Sequence, residues 1–264
     1  EITDSLVGSE MCIRDRLDSV SYNLDDIEKK FDDMKEYYED NGYLIIENVL
    51  KKTFIDKLND SIGIIKNNKS RLQDEWKHNR YVKEVAKNKD IFYLLKKLYK
   101  DEPLPFQTLN FTKGTTQKEH SDLMHFCPDK ENLNLMCGVW YALEDISDEK
   151  GPLIYYPKSH KEKPILDLSN FGGKYTEYEK HLIKLCKERY VQQKGNISKG
   201  SIIIWSSNLI HGGHPERNKE STRKSMVVHY FFESSKYWWS PAISTKNSKN
   251  IRPDILTKSR AILR

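Results

Sequence analysis

Apolar positions in the first hundred residues recur at steps of three and four, the spacing that places side chains on one face of an α-helix. This pattern predicts helices over Leu24–Asn41, Lys51–Lys66 and the segment from Val82 to Leu98. Gly42 supplies a stop for the first helix, and the apolar run Tyr43–Val49 predicts a buried strand. Pro103 ends the helical part, which therefore covers about 24–100.

From about Phe106 the pattern changes to short apolar segments separated by Gly, Pro, Asn and Ser, which is typical of a β-sandwich or barrel. Six segments are predicted strands: Gln107–Lys113, Leu133–Leu143, Leu153–Tyr156, Ser201–Trp205, Leu209–His211 and Arg223–Phe232. One predicted helix, Tyr175–Tyr190, interrupts them. The sequence therefore predicts a mainly β protein, with the helical layer packed on a jelly-roll core at about 106–232 and a C-terminal tail at 233–264.

Residues 1–16 show no periodic apolar positions, so we expect them to lie outside the fold and a single domain to span 17–264. The formal net charge is +5, and it becomes +7 without the four acids and two bases of residues 1–16. This charge admits an anionic small-molecule substrate or a polyanion, but bases and acids are interspersed as on an ordinary solvated surface, so nucleic acid is only a weak alternative. A mean hydropathy of -0.76 and the lack of an apolar run of about 18 residues exclude a membrane helix. Four scattered cysteines without a C-x-x-C pair predict a reducing compartment, the cytoplasm.

A His-x-Asp pattern follows the first predicted β segment, at His120 and Asp122. In extended chain, residues i and i+2 point to the same side, about 7 Å apart, so the two side chains can share a metal. Residues 200–213 then predict a strand, a polar turn and a second strand that delivers His211 among glycines. If the strand opened by Arg223 pairs antiparallel with that of His211, its guanidinium faces the same cavity.

Two rivals to these assignments lie close by in the chain. His214 could replace His211 as a ligand, but the glycines beside His211 leave more room for a metal. Arg217 could replace Arg223, but it belongs to a polar turn, whereas Arg223 lies on an apolar strand. The pattern therefore favours His211 and Arg223.

Two histidines and one carboxylate on one face of an iron leave three adjacent positions open, the arrangement of non-heme Fe(II) oxygenases. A 2-oxo acid can fill two of them and O2 the third, while an arginine binds the far carboxylate through two parallel charge-assisted bonds. Two further histidines, His125 and His229, are expected to be hydrogen-bonded core groups rather than ligands or acids.

Several stretches together resemble the phytanoyl-CoA dioxygenase family of Fe(II)/2-oxoglutarate oxygenases. They are GYLIIENVL, GTTQKEHSDLMHF, GVWYALEDIS, GPLIYYPKSHK, IIIWSSNLIHGG and RKSMVVHYF, and they cover most of residues 42–232. The resemblance implies a double-stranded β-helix (jelly roll, cupin-like) with iron held by His120, Asp122 and His211. It also implies that Arg223 anchors 2-oxoglutarate and that Trp140 lies near this cosubstrate.

The chain departs from the family at Gly213, where some members place a serine that supports the distal carboxylate. The alternatives for this second anchor are Thr112, Gln117 or another residue. Asp122 argues against the halogenase variant, which resembles this family but has a small residue there. The implied activity is hydroxylation of a small organic substrate, with 2-oxoglutarate and O2 converted to succinate and CO2. The alternative is a non-enzymatic β-sandwich binding module for an anionic ligand.

Overall fold

A computed structural model of the chain describes residues 20–62, 71–128, 132–218, 220–235, 238–240 and 254–264. Residues 1–16 and the end of the second expected helix, 63–66, lie outside these ranges. The described helices are α1 (Phe31–Asn41), α2 (Lys52–Ile62), α3 (Arg80–Ala86), α4 (Lys89–Tyr99), α5 (Tyr175–Arg189) and α6 (Asp254–Leu263). Within the described residues, no helix combines the length and the apolar character needed to cross a membrane.

Twelve short strands in the described residues form three sheets. They are β1 (Ser21–Asn23), β2 (Tyr43–Glu47), β3 (Leu72–Gln73), β4 (Pro103–Phe111), β5 (Cys127–Pro128), β6 (Met136–Ala142), β7 (Leu153–Tyr155), β8 (Gln193–Lys194), β9 (Ile202–Ser206), β10 (His211–Gly213), β11 (Ser225–Phe232) and β12 (Trp238–Trp239). The large sheet has the order β1-β2-β9-β6-β11-β4-β3, a smaller one β10-β7-β8, and the third pairs β12 with β5. All pairs are antiparallel except β1 with β2.

The large sheet is buried on both faces. Along β9, Ile202 and Ile204 join the core formed with the helical layer. The intervening Ile203 and Trp205 belong to a second core between the large and the small sheet. Because side chains of a strand alternate between faces, this double burial explains the unbroken apolar run. The predicted helical layer and jelly-roll core are therefore both present.

Two expectations about the helices are wrong in detail. The helix predicted from Leu24 begins only at Phe31, and Leu24–Asp26 forms a single 3-10 turn. The helix predicted from Val82 to Leu98 is two helices, α3 and α4. Asn88 separates them because its side chain accepts hydrogen bonds from the first backbone N–H groups of α4, at 3.0 and 3.1 Å, and asparagine favours this cap over helix continuation.

The expected pairing of the Arg223 strand is also wrong. β11 begins at Ser225 and lies between β4 and β6, whereas β10 begins at His211 and pairs with β7. An apolar strand buried on both faces is stabilised most by a central position in the large sheet, and hydrophobic alternation does not specify a partner strand. Arg223 and His211 therefore approach each other from opposite sheets.

Candidate active site

The two histidines of the predicted cluster are held by a backbone bridge between a loop and β10. His120 N–H donates to the carbonyl of His211 at 2.9 Å, and His211 N–H donates to the carbonyl of His120 at 3.0 Å. This reciprocal pair brings the imidazole centroids to 4.4 Å. The bridge joins two segments 91 positions apart in the sequence, counted from these residue numbers, and fixes both rings on one side of the small sheet.

Hydrogen bonds select the same tautomer in both rings. Nδ1 of His120 donates to the carbonyl of Lys118 at 2.8 Å, and Nδ1 of His211 donates to the carbonyl of Leu209 at 3.0 Å. Since a carbonyl can only accept, each Nδ1 carries a proton, and in the neutral form of either ring the lone pair is on Nε2. Burial, followed by the neighbouring His211, lowers the pKa of His120 to about 3, so this ring is neutral at physiological pH.

Asp122 presents one carboxylate oxygen to both lone pairs. Its Oδ1 lies 3.9 Å from Nε2 of His120 and 3.8 Å from Nε2 of His211. Burial alone would raise the pKa of this carboxyl, but the neighbouring His211 and His229 hold it well below its usual range. The ligand atoms of His120, Asp122 and His211 lie within 4.8 Å of one another, and all three residues are buried. Two neutral nitrogens and one anionic oxygen suit a divalent iron.

Trp205 binds the other oxygen of Asp122, a contact that sequence reasoning missed. Its Nε1 donates to Oδ2 at 2.7 Å, and Nε2 of His229 lies 3.6 Å from the same oxygen. The carboxylate is thus held by Oδ2 while Oδ1 faces the imidazoles. Nδ1 of His229 also hydrogen-bonds Oε1 of Gln107 at 3.0 Å. His229 is thus hydrogen-bonded, as expected, but it lies beside the cluster and not in a core away from it. A tryptophan inside an apolar run gave no signal of this role.

A cavity of about 180 Å³ between the large and small sheets contains this cluster. Arg223 lies at one end, 3% exposed, with its guanidinium 5.4 Å from the ring centre of Phe111 and 5.7 Å from that of Trp140. Burial lowers the pKa of Arg223 to about 10, which leaves it cationic at neutral pH. Its Nη2 donates to the carbonyl of Lys113 at 3.2 Å, while its buried Nε has no hydrogen-bond partner. A buried cationic donor without a partner favours the binding of an anionic ligand.

The rivals of the predicted residues lie elsewhere. Arg217 is on the surface, with a side chain 58% exposed and 3.9 Å from Asp148. His214 is outside the cavity lining, and its Nδ1 donates to the carbonyl of Pro215 at 2.8 Å. The geometry therefore brings His211 and Arg223, and not their rivals, into the cavity lining, and their roles there stay predictions.

The two candidates for a second anchor have different positions. Gln117 lines the cavity, and its amide donates to Nε2 of His120 at 3.1 Å. Thr112 does not line the cavity, and its carbonyl accepts the backbone N–H of Arg223 at 2.8 Å. A Cβ on Gly213 would lie 3.1 Å from the hydroxyl of Thr115, so Thr115 occupies the neighbourhood of the missing serine and is a candidate that sequence reasoning did not include.

Comparison with known proteins places the chain among similar folds. Residues 82–225, more than half of the chain, match the sequence pattern of the phytanoyl-CoA dioxygenase (PhyH) family. The chain is similar in structure to the non-heme alpha ketoglutarate dependent epimerase SnoN from nogalamycin biosynthesis, with a TM-score of 0.63 and 14% identity over 78% of this chain and 84% of SnoN. No curated protein sequence matches the chain.

Two further crystal structures share the fold. EctD from S. alaskensis, solved with 2-oxoglutarate and 5-hydroxyectoine, has a TM-score of 0.60 and 16% identity over 85% of this chain and 82% of EctD. HygX from Streptomyces hygroscopicus, solved with iron bound, has a TM-score of 0.57 and 15% identity over 76% of this chain and 86% of HygX. At these identities the likeness establishes the double-stranded β-helix fold.

The family match and the cluster together define the class of Fe(II)/2-oxoglutarate-dependent oxygenases, with which the fold agrees. Within that class, the chain belongs to the phytanoyl-CoA dioxygenase family, since the family pattern spans more than half of it. This membership favours an enzyme over the non-enzymatic binding module that the sequence also allowed.

Proposed function

We propose that this protein hydroxylates a small organic substrate, with 2-oxoglutarate and O2 converted to succinate and CO2. The observation that carries the proposal is the placement of His120, Asp122, His211 and Arg223 around one cavity. The membership in a dioxygenase family supports it. A carboxylate at Asp122 supports hydroxylation over halogenation, because its oxygen occupies the position that a halide would need.

In this proposal each side chain has a separate task. His120 and His211 give neutral nitrogens to iron, and Asp122 gives the charged oxygen that offsets part of the metal charge. Arg223 binds the distal carboxylate of 2-oxoglutarate through charge-assisted hydrogen bonds, and Trp140 forms a wall beside it. When bound, the iron supplies O2 activation and the oxidation that is coupled to decarboxylation of 2-oxoglutarate.

Apolar side chains form part of the cavity walls. Leu109, Phe111 and Val227 line the large-sheet side, and Leu153 lines the small-sheet side. Apolar walls lower the local dielectric and so strengthen charge interactions beside them. We also propose a cytoplasmic location, which Cys137 and Cys186 support, because both are buried and free of disulfides.

Anaerobic titration with Fe(II) and 2-oxoglutarate tests the proposal. We expect a visible charge-transfer band, and with O2 we expect succinate to form. Folded, iron-treated protein that gives neither result would favour the binding module. A screen of small molecules for faster succinate release then provides a substrate, whose product mass decides the reaction. Hydroxylation adds one oxygen atom to the substrate. A product of unchanged mass would indicate epimerisation instead, and a product lighter by two hydrogen atoms would indicate cyclisation.

A further inference from the structure

The described residues that line the cavity carry more positive than negative charge. Among the described lining residues, Asp122 is the only acid, while Arg223 and Arg71 are the arginines. With Fe(II), these cations hold four positive charges, against one negative charge on Asp122. The two carboxylates of 2-oxoglutarate leave one net positive charge. Glu144 and Glu216 lie outside this lining and act on Arg223, so the cation left for a further anionic ligand is Arg71.

Arg71 is the cation that no ligand assigned so far uses. It directly precedes the edge strand β3, in which Gln73 pairs with Leu109, a residue of the core between the sheets. Side chains alternate along an extended chain, so Arg71 shares the cavity side with Gln73. Arg71 is exposed, and it forms no hydrogen bond or ion pair with the described part of the chain. It therefore lies at the mouth of the cavity, ready for a ligand.

Arg71 and Arg223 differ in their surroundings within the cavity lining. The charge of Arg71 acts on His125, whose pKa is lowered chiefly by burial and to a smaller extent by this guanidinium. His125 lines the cavity, and its Nε2 hydrogen-bonds the hydroxyl of Tyr175 at 2.8 Å. Phe126 adds an apolar ring. Arg223, by contrast, is 3% exposed and lies against Phe111 and Trp140.

We propose that the primary substrate is a small monocarboxylic acid whose carboxylate binds Arg71 at the mouth of the cavity. This inference rests on the proposed function, because the charge balance assumes bound iron and 2-oxoglutarate. A guanidinium binds a planar carboxylate through two parallel hydrogen bonds. A phosphate monoester, with close to two negative charges at pH 7, would exceed the single charge of the Arg71 guanidinium. Phe126 and His125 would contact the remainder of the acid.

The test is a titration of the anaerobic complex with Fe(II) and 2-oxoglutarate, followed by its visible band. The probes are straight-chain monocarboxylic acids and their primary amides, which match them in shape but are neutral. We expect the acids to perturb the band at concentrations up to about five-fold lower than the amides, as for one exposed charge pair. Arg71→Gln should remove this preference, and Arg71→Lys should restore part of it. Arg217→Gln, at an exposed arginine outside the cavity, is the control and should keep the full preference.

Each result decides a separate question. Absence of the starting band would contradict the proposed function itself. A normal band with equal affinity for acids and amides, or with no response to any acid, would overturn the assignment of Arg71. The assignment also fails if Arg71→Gln keeps the preference, or if this variant weakens 2-oxoglutarate instead, because Arg71 would then belong to the cosubstrate site.

Discussion

The carboxylate of Asp122 has two oxygens with different partners, and this difference organises the site at the scale of single residues. Oδ1 faces the lone pairs of His120 and His211 at 3.9 and 3.8 Å, while Oδ2 accepts from Trp205 at 2.7 Å. A carboxylate held in this way cannot rotate without losing the indole hydrogen bond. The metal-facing oxygen is thus fixed before any metal binds.

Replacement of Asp122 and replacement of Arg223 should impair the binding of different ligands. Asp122→Ala removes the charged ligand, so iron content and turnover should be lost together. Arg223→Ala should keep iron but weaken 2-oxoglutarate by about 2 to 5 kcal/mol, or roughly 30-fold to several thousand-fold in KM. Arg223→Lys should recover only part, since an ammonium lacks the planar fork. Iron analysis and the KM for 2-oxoglutarate measure both effects.

The exposed Arg217 is the matched control for this pair. Arg217→Ala should leave both measurements at their wild-type values, because its side chain lies on the surface near Asp148. If Arg217→Ala raised the KM for 2-oxoglutarate and Arg223→Ala did not, the anchor would be wrongly assigned.

Trp205→Phe should weaken metal binding while leaving the fold intact. Phenylalanine keeps most of the buried ring but cannot donate to Asp122, and loss of such a hydrogen bond to a ligand typically costs about 10- to 100-fold in metal affinity. Trp76→Phe is the control, because the buried Nε1 of Trp76 has no hydrogen-bond partner. Fe(II) dissociation constants measure the effect. Equal constants for both variants would show that the indole contact does not position the carboxylate.

At the scale of elements, the pairing of β6 with β9 supports the position of Trp205. Gly138 lies directly opposite Trp205 in this pair. A Cβ added at Gly138 would lie 2.3 to 2.7 Å from atoms of the indole ring. The absence of a side chain on β6 therefore provides the space in which the indole lies and reaches Asp122.

Gly138→Ala should displace the indole and lower Fe(II) affinity in the same direction as Trp205→Phe. We expect overpacking to lower the free energy of unfolding by about 1 to 3 kcal/mol and to change the near-ultraviolet circular dichroism of tryptophan. The smaller ring of Trp205→Phe should relieve the clash, so the double variant should be more stable than the sum of the two single effects predicts. Gly114→Ala is the control, since its nearest contact would be an ordinary 3.4 Å. Strict additivity in the double variant would contradict the steric explanation.

At the scale of the whole molecule, the large sheet separates two cores with different tasks. The core on one face joins the sheet to the helical layer, and the core on the other face surrounds the candidate active site. The N-terminal strand β1 contributes to the first core through Tyr22, which is 9% exposed, and the turn after it contributes through Ile27, at 5%. We propose that residues 17–264 unfold as one domain, since both cores share the same central strands.

Deletion of residues 1–16 should leave the melting temperature and succinate release unchanged, because their apolar positions have no period that would join a core. Deletion of residues 1–29 is the comparison, since it also removes Tyr22 and Ile27. That truncation should cost about 3 kcal/mol, or roughly 6 to 12 °C in Tm. Calorimetry measures both changes, and a drop of many degrees for the shorter deletion would show that residues 1–16 belong to the fold.

The sequence by itself determined the layer architecture, because the periods of 3.6 and 2 and the Gly and Pro breaks are local properties. It also determined the chemical identity of the cluster, since H-x-D, His211 and Arg223 are specific residue types in a fixed order. The sequence determined the helix boundaries only in part. The apolar period continues past Asn88, although the side chain of Asn88 caps a new helix there.

Only the tertiary structure decided which strands pair and which side chains meet. Arg223 reaches the cavity from the sheet opposite His211, because β11 is most stable at the centre of the large sheet. Trp205 and Arg71 have ordinary sequence contexts, yet one binds Asp122 and the other borders the cavity mouth. These contacts join residues far apart in the chain, so they depend on packing across strands and sheets, which no local pattern encodes.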